Sequence, residues 1–257
     1  MKTDYMNLQV LDREKVIKII TILRKTGDSR KLSYKHISEC PFNIESTAAI
    51  ESNNIDIIVY FDDSILLSLQ EEAIIHELLH ILVRNDGFPE AIVSNTFLSN
   101  NPKARRMTTG CQFTLTSIIQ HPEILRREME IFDIDENLIF AHTIKMKKRL
   151  LNARPETFDR NLTHFFNQQE ILEIFECHFY PEQYKQNILS IYQKESPISY
   201  KSTLKLMKSI SIESMYYPKG CKSSAIKLLK HVINYGKKHM LKTSTKYNEI
   251  WKHLSIS

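Results

Sequence analysis

The chain has 257 residues, 42% of them hydrophobic and 25% charged, with a formal net charge of +5, an ordinary balance for a globular protein of one large or two small domains. Five Gly and eight Pro argue against long flexible linkers and a turn-rich β-sandwich, and so for a helix-rich fold. No apolar run is long enough for a signal peptide or a membrane span, and four scattered cysteines without Cys-x-x-Cys read as reduced thiols. The expectation is a cytoplasmic protein with no membrane partner.

In chain order, Asp12 opens a helical pattern in which Val16, Ile19, Ile20 and Leu23 recur three and four apart, and Gly27 closes it. Residues 32–37 read as a short strand, with His36 as an exposed strand residue. Residues 54–62 (Asn-Ile-Asp-Ile-Ile-Val-Tyr-Phe-Asp) form the strongest strand pattern. It puts Ile55, Ile57, Val59 and Phe61 on one face and Asp56, Ile58, Tyr60 and Asp62 on the other.

A helix follows, with Ser68-Leu69-Gln70-Glu71 as its expected capping box and Asn85-Asp86-Gly87 as its stop. It contains His76-Glu77-Leu78-Leu79-His80, an instance of His-Glu-x-x-His. At about 100° per residue, His80 falls about 40° and Glu77 about 100° from His76, while Ile74, Ile75, Leu78, Leu79, Ile81 and Leu82 fill the opposite arc. Two imidazoles on one edge can share a metal ion, and the glutamate beside them can reach a metal-bound water as general base. That residue set is the chemistry of a zinc (Zn²⁺) hydrolase. Arg84 lies on the same edge and reads either as a group that orients a carbonyl or carboxylate, or as a surface arginine.

A strand running closely into a helix with HELLH resembles the core of the zincin metallopeptidases, over residues 50–125. The resemblance implies a protein or peptide substrate, Zn²⁺ as cofactor, and residues 55–61 as the sheet edge that pairs with extended substrate. The third ligand is open. Asp86 stands where a metzincin's last ligand would be, but Val83 replaces the glycine of that pattern. Glu90, Glu123, Glu128 and Glu130 are alternatives of the gluzincin kind. His121 leads, on the polar edge of a helix over 114–121 that Pro122 is expected to end, because three histidines make an accepted catalytic zinc set.

Residues 88–101 read as a short helix and loop, and Lys103-Ala104-Arg105-Arg106 as a basic loop. Beyond Pro122 a charged helix covers 123–132, and a seam falls at 133–136. Helical patterns then cover 137–153, 168–177, 181–193, 202–210, 223–235 and 247–254, punctuated by Pro155, Pro181, Pro197 and Pro218. The expected fold class is α+β and predominantly helical: a zincin-like domain over 1–133, then a helical, basic region over 134–257 that is a second domain or the lower lobe of the first. His142, His164 and His178 read as structural or surface residues, and Tyr216, Tyr217 and Trp251 as core.

Charge is uneven. Residues 219–257 hold nine Lys against one Glu, a formal +8, so the preceding residues sum to −3 of the overall +5. A basic tail admits a nucleic-acid partner as well as a solvated lysine face. The functional expectation is therefore an intracellular metallopeptidase using Glu77 as base with His76, His80 and His121 on zinc. The alternatives are a non-catalytic zincin-like binding protein and a nucleic-acid-associated protein acting through its basic helices.

Overall fold

The β-branched and aromatic run Asp56–Phe61 forms strand β3, the middle of a three-stranded sheet. The computed structural model describes residues 8–41, 47–94, 102–140, 144, 147, 160–240 and 250–257. Strand β1 (Lys31–His36) runs parallel to β3 with Leu32 opposite Ile57 and Tyr34 opposite Val59, and β2 (Ala48–Ser52) runs antiparallel with Ile50 opposite Val59. The alternation expected from sequence holds where it faces the core: Ile57, Val59 and Phe61 are buried. Ile55 is exposed instead, because Asn53 builds the β2–β3 turn with its side-chain oxygen, which accepts from the backbone N–H of Ile55 and of Asp56, each at 2.7 Å.

The expectation that residues 55–61 form a substrate-pairing edge is overturned. Both sides of β3 carry ladder hydrogen bonds, so its backbone groups are already used, and among the described residues the edges are β1 and β2.

Helix α1 (Glu14–Lys25) buries Val16, Ile19 and Leu23, and ends where Gly27 takes φ +88°. Helix α2 (Leu67–Asn85) carries HELLH and packs on α1, β2 and β3. It begins one residue ahead of the expected capping box. The carbonyl of Leu66 accepts from the N–H of Leu69 and Gln70, and Glu71 pairs with Arg13 at 2.8 Å instead of capping the helix. Its end is as expected, in a turn with Gly87 at φ +85°.

Helix α3 (Pro102–Glu130) corrects three expectations at once. The basic run 103–106 lies on its first turns instead of in a loop, and the helices expected over 114–121 and 123–132 are a single one with Pro122 inside. An interior proline costs about 3 kcal/mol. Leu115, Ile118 and Ile119 before it and Ile124 and Leu125 after it are all buried, and at roughly 1.5–3 kcal/mol each their burial outweighs the break.

By internal contacts the chain divides into Met1–Asn85 with Ile124–Ala141, and Asp86–Glu123 with His142–Ser257. In the second unit, residues 91–93 form β4 (Ala91–Val93) in place of the expected helix. It pairs antiparallel with β5 (Leu254–Ile256), which replaces the end of the helix expected over 247–254. Residues 136–140 are helical, and further helices among the described residues are α4 (Arg160–Cys177), α5 (Glu182–Glu195), α6 (Pro197–Met207) and α7 (Pro218–His239). Pro197 and Pro218 occupy first helical turns, where the missing N–H costs nothing. Trp251 is fully buried against Phe165, with ring centroids 6.1 Å apart. Residues 95–101, 148–159 and 241–249, with His142 and Pro155, lie outside the described residues. The protein is predominantly helical with a small sheet, and no helix among the described residues is long and apolar enough to cross a membrane.

Candidate metal centre

The apolar arc of α2 is buried at Ile74, Ile75, Leu78, Leu79, Ile81, Leu82 and Val83, which fixes the helix's rotation. Its other edge is left to His76 and Glu77, both half-buried, and His80, 7% exposed. The two imidazoles stand edge to face with ring centroids 5.1 Å apart, as the i, i+4 spacing requires for one shared ion.

Behind His76 stands Glu128 of α3, the same contact unit's own residue. His76 Nδ1–H donates to Glu128 Oε1 at 2.8 Å, and the Glu128 side chain is 0% exposed. With Nδ1 engaged by Glu128, a metal held by His76 would be bound through Nε2. Glu128 Oε2 is buried without a hydrogen-bond partner among the described residues. Glu72, one turn before His76, belongs to the same cluster, its carboxylate within 4.8 Å of the His76 and Glu128 ligand atoms.

This crowding of carboxylates shifts the pKa values of the cluster. Burial pushes the Glu72 carboxyl up to about 7, with Glu128 and Glu77 adding to the rise and His76 opposing it. Burial likewise raises Glu77, again against His76 and with Glu128. For His76 burial works downward, but Glu128, Glu77 and Glu72 outweigh it and carry the imidazole up to about 10. An acidic lining of this kind favours a cation.

His121 is held in the same manner in the second unit. Its Nδ1–H contacts Glu176 Oε1 of α4, and Glu176 Oε2 accepts from Lys147 Nζ at 2.7 Å. Burial disfavours the Glu176 charge, but Lys147 and His121 overcome it and hold the carboxyl well below its usual range. On α3, His121 and Glu128 are seven residues apart, about 20° from a common face, whereas Glu123 points roughly the opposite way.

The other candidates are placed elsewhere. Asp86 is in the exposed turn after α2, and Glu130 is exposed and paired with Arg126 at 2.5 Å. Glu123 is buried near the Cys221 thiol, whose pKa burial and then Glu123 push up to about 12. The backbone of Glu90 is tied to Ser257. Arg84 donates to Ser52 Oγ of β2 at 3.0 Å.

Glu72, Glu176 and Lys147 carry no sequence signature, since each acquires its role from a distant partner. Glu128 was readable as a residue on the His121 face, had the helix been extended through Pro122. His36, expected as an exposed strand residue, is half-buried and lies beside Asp62 and Asp63 as another set that could take an ion; its Nδ1 accepts from the Ser38 N–H at 3.2 Å.

No family model, curated protein or solved structure matches this chain. The functional reading therefore rests on the residues themselves.

Proposed function

We propose that the chain is a zinc-dependent hydrolase of the HExxH type, a zincin-like metallopeptidase in which His76, His80 and His121 hold Zn²⁺ and Glu77 is the general base. The observation that carries the reading is the His76–Glu128 hydrogen bond at 2.8 Å. A histidine that ligates zinc through one nitrogen ordinarily gives its other N–H to a carboxylate or carbonyl. His121 has the same arrangement with Glu176, on the helix face that carries Glu128.

When bound, zinc supplies Lewis acidity and lowers the pKa of a coordinated water to about 7. Glu77, one residue from His76 on the open edge of α2, takes the proton of the attacking water and returns it to the leaving amine. Its burial-raised pKa suits both transfers. Glu128 and Glu176 hold the two imidazoles in the tautomer that presents Nε2. Peptide as the substrate class follows from the resemblance of the strand and HELLH helix to zincins.

The test is zinc content by mass spectrometry, with hydrolysis of a quenched fluorescent peptide library, for wild type, Glu77→Gln, His80→Ala and His121→Ala. About one zinc per chain is expected in wild type and Glu77→Gln, loss in both histidine variants, and hydrolysis by wild type alone. If His121→Ala kept its zinc, the third ligand would lie elsewhere. A wild type that neither contains zinc nor takes it up when added sinks the reading.

A further inference from the structure

A second site lies wholly within the second unit, between α6 and α7. The two helices flank an open concavity of about 380 Å³, lined by nine residues of which none is acidic. Three are cations: Lys201 and Lys205, one turn apart on α6, and Lys238 on α7. None of the three forms an ion pair among the described residues, although exposed acidic residues such as Glu182 and Glu195 occur in the same unit. Like charges at i, i+4 on a helix are mildly unfavourable, and a third cation facing the same cavity adds to the repulsion. An anion placed among them relieves it.

The rest of the lining suits a particular anion. Ser202 Oγ and His231 Nε2 share a hydrogen bond of 2.8 Å across the two helices, and Asn234 adds an amide. These are hydroxyl, amide and imidazole groups that can donate to oxygen. Burial, together with Lys205, lowers the pKa of His231 against the Ser202 hydrogen bond. The rings of Tyr235, itself buried, and His239 lie 4.5 Å apart at 31° and line the same concavity.

We propose that this cavity binds the phosphate groups of a nucleotide-sized ligand, with Lys201, Lys205 and Lys238 as its phosphate contacts. Cavities of roughly 300–1,000 Å³ take small molecules. The three lysines are exposed at the rim of the concavity, as are Lys219, Lys222 and Lys230 elsewhere on α7, the row of cations that a nucleic-acid strand would use instead. Convergence from two helices onto one concavity favours the small ligand. The site shares no residue with the metal centre and does not depend on it.

The test is calorimetric titration of the full chain with ADP, adenosine, inorganic pyrophosphate and a 20-nucleotide single strand. ADP and pyrophosphate are expected to bind one per chain, with adenosine at least about tenfold weaker because it lacks the charged acceptors. The double variant Lys201→Gln, Lys205→Gln is expected to weaken ADP at least about tenfold without lowering its melting temperature. Asn234→Asp, which places a carboxylate in the cavity, serves as a second probe with the same expected loss. Lys219→Gln with Lys222→Gln should leave ADP binding unchanged, and so should His80→Ala, which separates this site from any zinc. Equal binding of adenosine and ADP overturns the proposal, as does wild-type ADP affinity in both cavity variants. So does strand binding lost with Lys219 and Lys222 while ADP fails to bind.

Discussion

Replacing Glu128 isolates its contribution to metal binding, because it touches the proposed ligand His76 without being a ligand in this scheme. In wild type the His76 Nδ1–H meets a fully buried carboxylate at 2.8 Å. A hydrogen bond to a charged group is worth roughly 1.5–3 kcal/mol, or about ten- to a hundredfold in a binding constant. Glu128→Gln keeps an acceptor but loses the charge, so zinc affinity should fall about tenfold. Glu128→Leu removes both and should lower it about a hundredfold, at the upper end of what outer carboxylates contribute to metal sites. The assay is competition for zinc against a chromophoric chelator at pH 7.5, with Glu130→Gln as the control. Glu130 is on the same helix, exposed and paired only with Arg126, and its variant should bind like wild type. Affinities for Glu128→Leu within twofold of wild type, or an equal loss in Glu130→Gln, would refute the role assigned to the bond.

Three further perturbations probe the scaffold. The Asp28 carboxylate accepts from Arg30 and from Asn85 at 3.0 Å, and these bonds, Arg30's first, hold its pKa well below the usual value against the effect of burial. A depressed folded pKa gives stability that is present above the unfolded value of about 3.9 and is lost as pH falls through the folded one. Asp28→Asn should therefore be less stable by about 1–3 kcal/mol at pH 7 in urea titrations, with the gap shrinking below about pH 4; a gap that widens in acid contradicts this. Lys147→Met leaves the Glu176 charge buried without its cation and should cost about 3–5 kcal/mol; adding Glu176→Gln should recover part of the loss, and no recovery would show the pair to be uncoupled. Trp251→Ala opens a cavity beside Phe165 and should cost about 3–5 kcal/mol by thermal melting, whereas a loss under 1 kcal/mol would mean that the indole is not part of the core.

What was legible in the sequence was what local periodicity determines. The 19 residues of α2 show one apolar arc and one polar edge, and both are found where the pattern puts them. Ile57, Val59 and Phe61 alternate because a strand alternates. Strand β2, Ala-Ala-Ile-Glu-Ser, was missed because its residues have weak β preference and its pairing comes from β3. Strand β4 is three residues long and owes its form to β5. Pro122 misled because local rules price the lost hydrogen bond but not the apolar residues that α3 buries on either side. The hydrogen bonds of Glu128, 52 residues from His76, and of Glu176, 55 residues from His121, are tertiary facts with no local signal.

The pairing of β4 with β5 also bears on how the polypeptide matures during translation. Ser257 and Glu90 exchange hydrogen bonds across a separation of 167 residues. At about 5–20 residues per second, β4 waits roughly ten to thirty seconds after emerging before its mate exists. Its neighbours Thr116 and Gln112 bond the backbone of Ala91 and can hold that stretch in the interval. Sequence-distant closure of this sort slows folding. A nascent chain stalled before residue 254 would thus carry an unpaired strand edge, the kind of surface that chaperones bind and that neighbouring ribosome products can join.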